Sequence, residues 1–269
     1  MLIREDMPQP VSLNVGSGTV AVYTARSPAR ETANEDAAGV LSVDEARGVV
    51  VVADGFGGQP AGDQASELAV TAVVESVEQA AAEGSELRVG ILAGFDRANE
   101  AVLALGVGAA TTLAAIEIDQ SCIRPYHVGD SEVLAMGQRG RIRFQTIAHS
   151  PVGYSVEAGL LDQTEALHHE DRHLVSNMVG SGDMRIDVGP VVRLAPRDTV
   201  VVATDGLFDN LTVGDIADVI RKGDLLCATK QLVGQCRERM DGVAGDPCKP
   251  DDLTVVAFRL RDAGQRRRT

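Results

Sequence analysis

The chain has 269 residues, with 25 Lys+Arg against 39 Asp+Glu and a formal net charge of −14. That acidity argues against nucleic acid as a partner, because binding a phosphate backbone needs clustered cations. A hydrophobic content of 44% with 24% charged residues excludes a disordered chain, and the absence of Trp with 3% aromatics implies an aliphatic core.

Residues 1–16 carry no apolar segment of the signal-peptide kind, and no apolar run approaches the roughly 20 residues of a membrane span. Short β-rich runs follow at 19–24 and 37–43, and then Val49-Val50-Val51-Val52-Ala53. This last run is continuously aliphatic and stops at Asp54-Gly55, which predicts a strand buried on both faces. A helix comes next, with Ala65, Leu68, Ala69, Ala72, Val73 and Val77 on one face. A second helix, from about 86 to 105, carries Ile91, Leu92, Phe95, Ala98 and Val102 as its stripe. Strands are predicted at 111–118, 122–128, 132–136 and 141–146, separated at hairpin-like distances. Residues 148–184 are polar, His-rich and weakly periodic, and read as a surface excursion with some helix near 154–159. Strands resume at 188–194 and 199–204, helices at 213–221 and 225–239, and a final strand at 253–260. The closing Gln265-Arg266-Arg267-Arg268 reads as a solvated tail.

Blocks of strands interrupted by helix pairs imply a layered α+β fold with antiparallel sheets, not alternating βαβ units. With no compositional break, residues 1–269 read as one domain, its core at about 19–260 between short tails. Cys122, Cys227, Cys236 and Cys248 lack C-x-x-C spacing and are too sparse for a disulfide scaffold, so free thiols in a reducing cytoplasm are expected.

Two segments echo each other: Val50 to Phe56 and Val201 to Leu207 each run a buried strand into Asp-Gly. The acidic pairs Glu35-Asp36 and Asp251-Asp252 instead stand where strands begin. In antiparallel sheets the end of one strand and the start of its neighbour share a rim, so Asp54, Asp205, Asp36 and Asp251 can meet there. Gathered carboxylates repel one another unless a cation neutralises them, and hard oxygen donors suit Mg²⁺ or Mn²⁺. Each glycine is expected to let the backbone turn sharply after its Asp.

The segments Asn34-Glu35-Asp36, Val52 to Gly58, Gly62-Asp63-Gln64-Ala65-Ser66, Ala110-Thr111-Thr112-Leu113, Val128-Gly129-Asp130-Ser131, Ala148-His149-Ser150, Thr204 to Asn210 and Asp251 to Val256 follow in a telling order. That order resembles the bacterial members of the PP2C-type (PPM) metal-dependent serine/threonine phosphatases, across about residues 19–260. The resemblance implies a four-layer αββα sandwich, with metals at one edge of two antiparallel sheets and helix pairs outside. It implies hydrolysis of phosphoserine and phosphothreonine in proteins by a metal-activated water, without a phosphoenzyme. Asp54 would bridge two Mn²⁺ or Mg²⁺ ions, Asp205 and Asp251 would complete one site, and Glu35 with the Gly55 carbonyl the other. Asp130 with Asp205 would hold a third, looser ion. Asp36 would orient the attacking water, and Arg30 would clamp the phosphate; Arg26 is the alternative, since Arg30 stands one residue too far from Asp36. The implied partners are phosphorylated proteins, through a cognate Ser/Thr kinase or its substrates, for a cytoplasmic monomer free of membrane and nucleic acid.

The sequence also departs from that family. Phe56 stands where some members carry His, Gly57-Gly58-Gln59 replaces Gly-Gly-His, and Glu132 replaces the usual Arg. Arg30 and Glu132 leave room for a catalytically weak module that binds phosphoproteins. His169-Glu170-Asp171-Arg172-His173 matches the zinc-peptidase H-E-x-x-H, in a poor, charged context. Gly55-x-Gly57 falls short of a dinucleotide fingerprint, and no G-K-[ST] exists for a P-loop. His127 and His149 sit beside strands and read as structural.

Overall fold

Val50 and Val52 face one way along their strand while Val49, Val51 and Ala53 face the other, and both sets are buried. The computed structural model describes residues 1–56, 61–106, 108–242 and 249–261. Gly57-Gly58-Gln59, Cys248 and the Arg-rich tail, all singled out above, lie outside the described residues. In chain order the strands are β1 (Leu2–Ile3), β2 (Val11–Val15), β3 (Gly18–Ala25), β4 (Asp36–Ser42), β5 (Arg47–Asp54), β6 (Leu113–Asp119), β7 (Cys122–Val128), β8 (Glu132–Met136), β9 (Ile142–Gln145), β10 (Asp187–Val188), β11 (Val192–Arg193), β12 (Thr199–Ala203) and β13 (Leu253–Leu260). The helices are α1 (Gly62–Ala82), α2 (Leu87–Ala104), α3 (Pro151–Glu157), α4 (Gln163–Leu167), α5 (Asp205–Phe208), α6 (Val213–Ile220) and α7 (Leu225–Met240).

One sheet runs β1-β4-β5-β6-β7-β10, with β11 also on β7, and the other runs β2-β3-β13-β12-β8-β9. Every pairing is antiparallel. Between the sheets lie Val20, Val22, Val50, Val52, Ile116, Val200, Val202, Val256 and Phe258. The alternate residues turn outward to the helices. Val49, Val51 and Ala53 pack under α1 and α2, with Val73, Ile91 and Phe95. Ala21, Tyr23, Val201, Ala203 and Val255 pack under α6 and α7, with Ile216 and Leu232. The result is an αββα sandwich of three aliphatic cores, which is the expected fold class.

Local signals explain the helix starts. Thr212 and Asp215 form a capping box at α6, Asp224 caps α7, and Ser150 caps α3 with Pro151 in its first turn. No helix among the described residues is long and apolar enough to cross a membrane. Phe258 is fully buried between the sheets, so Phe258→Ala is expected to cost about 3–5 kcal/mol. An unfolding free energy within 1 kcal/mol of the parent's would contradict the two-sheet core.

Several boundaries differ from expectation. The strand expected at 111–118 begins at Leu113, because Thr111 instead bridges Gly55 and Val179. The span 188–194 splits into β10 and β11, two short pairings on β7. The excursion at 148–184 holds α3, which starts three residues before the helix expected near 154–159, and in addition α4 and a 3-10 helix at Glu170–His173. In that 3-10 helix His173 Nδ1 lies 2.9 Å from the Glu170 carbonyl, while His169 is the N-cap, its Nδ1 accepting from the Asp171 N–H. The two histidines therefore share no α-helical face, and the zinc-peptidase reading of His169, Glu170 and His173 is set aside.

Candidate active site

Asp36 begins β4 and Asp54 ends β5, and the register sets them directly opposite each other. Asp205 opens α5 just past the end of β12, and Asp251 stands two residues before β13, which pairs with β12. The two Asp-Gly segments and the two strand-initial acids therefore reach one rim, as the strand logic required. Glu35 comes with them, as does Asp130 from the β7–β8 turn.

Backbone and hydroxyl contacts hold this rim in place. The Asp54 carbonyl accepts from the Thr112 N–H (2.9 Å) and Thr111 Oγ1 (2.8 Å), and its N–H donates to Thr112 Oγ1 (3.0 Å). Thr204 Oγ1 donates to Asp36 Oδ2 (2.8 Å) and accepts the Thr254 N–H (3.0 Å), tying β4 to β13. Asp36 Oδ1 is buried with no hydrogen-bond partner. Asp252 does something else. Its Oδ1 accepts from the Ser27 N–H and its Oδ2 from the Glu35 N–H, each at 2.6 Å. It anchors the loop that carries Arg30 and Glu35.

That loop places the two arginines differently. Arg30 Nη1 lies 3.6 Å from Asp251 Oδ1, whereas Arg26 pairs with Asp6 at 3.1 Å. The extra residue before Asp36 is taken up by the loop, so Arg30 reaches the rim and Arg26 does not.

The glycines act differently from expectation. Neither Gly55 nor Gly206 has a positive φ. A Cβ on Gly55 would stand 2.1 Å from the Gly62 carbonyl oxygen, and one on Gly206 would stand 2.0 Å from that of Asp252. Close approach of neighbouring backbone, not a sharp turn, requires glycine after each aspartate.

Electrostatics at the rim are dominated by enclosure and like charge. Burial, then the Asp205 and Asp36 charges, push Asp54 well up, and burial with Asp252 does the same to Asp36. Burial, Asp205 and Asp209 raise Asp130, while burial and Asp252 raise Glu35. Asp251 and Asp209 are each raised to about 6, by burial and the Asp205 charge. Asp205 goes the other way. Burial alone would raise it, but the Lys249 ammonium and a hydrogen bond from Asp54 hold it below its usual value.

Asp251 and Asp209 thus keep protons to about pH 6 when folded but only to about 3.8 when unfolded. Their contribution is fully present below pH 3.8 and is lost as pH rises through 6, at about 1.4 kcal/mol per pH unit for each excess proton. Asp205, with its lowered pKa, opposes them only in strong acid. In chelator the protein is expected to melt higher near pH 5 than near pH 7.5, and saturating Mn²⁺ should narrow that gap. An equal or reversed gap in chelator would contradict a rim of repelling carboxylates.

Sequence reasoning missed Lys249. Its Nζ donates to Asp205 Oδ2 and to Asp209 Oδ2 (2.6 Å) and lies 3.5 Å from Asp251 Oδ2. The available signal was rarity: it is one of three lysines in the chain and stands two residues before Asp251.

A second cluster lies apart from the rim. His127 and His149 stack at 4.3 Å, and with Asp187 they form the one group of three His, Cys, Asp or Glu donors mutually within 4.8 Å among the described residues. His149 Nδ1 takes the Gly129 N–H (3.1 Å) and the Asn177 amide (2.9 Å), so its proton sits on Nε2, 3.2 Å from Asp187. A proton there leaves no lone pair for a metal. These histidines tie the excursion to β7, in keeping with their structural reading.

The donor set of the rim suits hard divalent ions. It is all oxygen, its carboxylates repel one another, Asp36 Oδ1 is bare, and a lysine ammonium already draws three of its aspartates together.

A sandwich of two antiparallel sheets between helix pairs, with a carboxylate rim at one edge, is the architecture of the metal-dependent phosphatases. The protein phosphatase 2C family profile matches residues 26–235, and the chain belongs to that family. It is 30% identical over 186 residues (66% of this chain, 75% of the relative) to a putative protein phosphatase 2C-type of Streptococcus pyogenes. It is also similar to the solved serine/threonine phosphatase of S. agalactiae, with a TM-score of 0.74, 26% identity, and 90% and 99% of the two chains covered. The PPM Ser-Thr phosphatase MsPP of Mycobacterium smegmatis, solved with cacodylate, gives a TM-score of 0.74 at 28% identity, covering 90% and 98%.

Proposed function

We propose that this chain is a protein serine/threonine phosphatase that hydrolyses phosphoserine and phosphothreonine with Mn²⁺ or Mg²⁺ held at the rim. One observation carries this reading. Carboxylates from strand ends of both sheets converge at one edge, where burial and like charge push Asp36 and Asp54 up and Asp36 Oδ1 is left without a partner.

Glu35, Asp54, Asp205, Asp251 and the Gly55 carbonyl are the proposed ligands of two ions, with Asp130 and Asp205 serving a third. When bound, such ions neutralise phosphoryl charge and lower the pKa of water. The rest falls to the chain's own groups. Arg30, 45% exposed beside Asp251, offers a planar fork to phosphate oxygens. Asp36 is fixed through Oδ2 by Thr204, which leaves its partnerless Oδ1 as the acceptor that would orient the attacking water. Cys236, the cysteine behind the second Asp-Gly, is no nucleophile. Cys236 is buried with its Sγ against the Gly206 carbonyl at 3.2 Å, and burial pushes its thiol up to about 12. The whole chain is read as one such domain, monomeric and cytoplasmic, acting on phosphoproteins made by a cognate kinase.

Phosphate release from a phosphothreonine peptide should require Mn²⁺ or Mg²⁺ and stop on addition of chelator. Turnover indifferent to chelator would overturn the metal-dependent reading. Tight phosphopeptide binding with no turnover would leave a binding module instead.

A further inference from the structure

Lys249 is held at both its ends. Its carbonyl accepts from Asn210 Nδ2 at 2.9 Å and its N–H donates to Asn210 Oδ1 at 3.0 Å, so one amide side chain clamps its backbone. The same Asn210 amide also donates to the Gly206 carbonyl (2.9 Å), locking the clamp to the second Asp-Gly. Pro250 follows and restricts the path to Asp251. From this anchor the side chain, 19% exposed, runs into the rim and gives its ammonium to Asp205 and Asp209, with Asp251 at 3.5 Å.

Asp205 and Asp251 are also two of the proposed metal ligands, and Asp209 is not. An ammonium and a divalent ion cannot share the same oxygens at close range, because each is repelled by the other and each needs the lone pairs. Asp209 Oδ2, 2.6 Å from Nζ, offers a place for the ammonium to remain when it lets the other two go.

We infer that Lys249 is an internal counter-cation that competes with a divalent ion for Asp205 and Asp251, and that Asp209 retains the lysine when the ion binds. The inference presupposes that the rim binds such ions, as proposed above. Lys249 therefore weakens one ion site, and it keeps the metal-free rim together.

The test is Mn²⁺ titration by calorimetry on full-length protein stripped with chelator, a binding readout independent of turnover. Lys249→Met is expected to tighten one Mn²⁺ site at least tenfold. Lys230→Met, which removes an exposed lysine on α7, should shift affinity less than twofold. Asp209→Asn should weaken Mn²⁺ binding several-fold in the parent, but change it less than about twofold in the Lys249→Met background, because Asp209 acts through the lysine. Equal Mn²⁺ affinity in the parent and Lys249→Met would overturn the inference and leave the metal-site reading intact. Absence of Mn²⁺ binding in every variant would overturn the metal-site reading itself. Should Lys249→Met fail to fold without metal, Asp209→Asn alone decides: unchanged or tighter Mn²⁺ binding contradicts the competition.

Discussion

Asp54→Asn is expected to lower kcat/KM on a phosphothreonine peptide by roughly a thousandfold or more in saturating Mn²⁺, about 4 kcal/mol of transition-state stabilisation. Asp54 stands opposite Asp36 in the register and within the fields of Asp205, Asp36, Asp251 and Asp130, and it is the carboxylate proposed to bridge two ions. The same substitution has an opposite expected effect on the metal-free fold. Burial and these neighbours already disfavour its charge, so the neutral amide relieves repulsion and Asp54→Asn should melt higher than the parent in chelator near neutral pH. Loss of turnover together with gain of metal-free stability is a signature that a merely structural aspartate does not give. Retained turnover, or a lower melting temperature in chelator, would contradict the role assigned to Asp54.

Asp252→Ala is expected to destabilise the protein by about 3–5 kcal/mol, because charge-assisted hydrogen bonds to two backbone amides are lost at once. Both of its oxygens are engaged, at 2.6 Å each, by the Ser27 and Glu35 N–H groups, and Asp252 itself is 5% exposed. The loop between those two amides carries Arg30, so turnover should fall even where the mutant remains folded, with a raised KM as phosphate loses its clamp. Asp252→Asn keeps one acceptor oxygen and should recover part of both losses. Unfolding free energies for the three proteins decide the matter, and a change below 1 kcal/mol in Asp252→Ala would show that the loop is held by something else.

Much of this architecture could be read from residue order. The continuous Val49 to Ala53 run announced a strand covered on both sides, and both covers exist. The placement of acids at strand starts and ends, taken with antiparallel pairing, was enough to bring Asp36, Asp54, Asp205 and Asp251 to one rim. What stayed hidden depended on contacts between distant segments. Arg30 was offered with Arg26 as its rival, because spacing counts residues while a loop pinned by Asp252 sets position. Lys249 carried no local signal of its place, because Asn210, far away in the chain, fixes its backbone. Other signals were present but unused. Val11, Leu13 and Val15 alternate as a strand should and form β2, and Asp162 with Glu165 spells the capping box of α4. The glycines were identified for the right neighbours but the wrong reason, since close approach across the fold has no local signature.

The central claim is that the rim holds divalent ions. Crystals soaked in Mn²⁺ and measured at its absorption edge locate those ions directly. The account predicts anomalous peaks within bonding distance of Asp54, with Asp205 and Asp251 on one side and Glu35 on the other, and the Lys249 ammonium withdrawn to Asp209. Well-diffracting soaked crystals with no peak at the rim, or a peak at His127 and His149 alone, would contradict it.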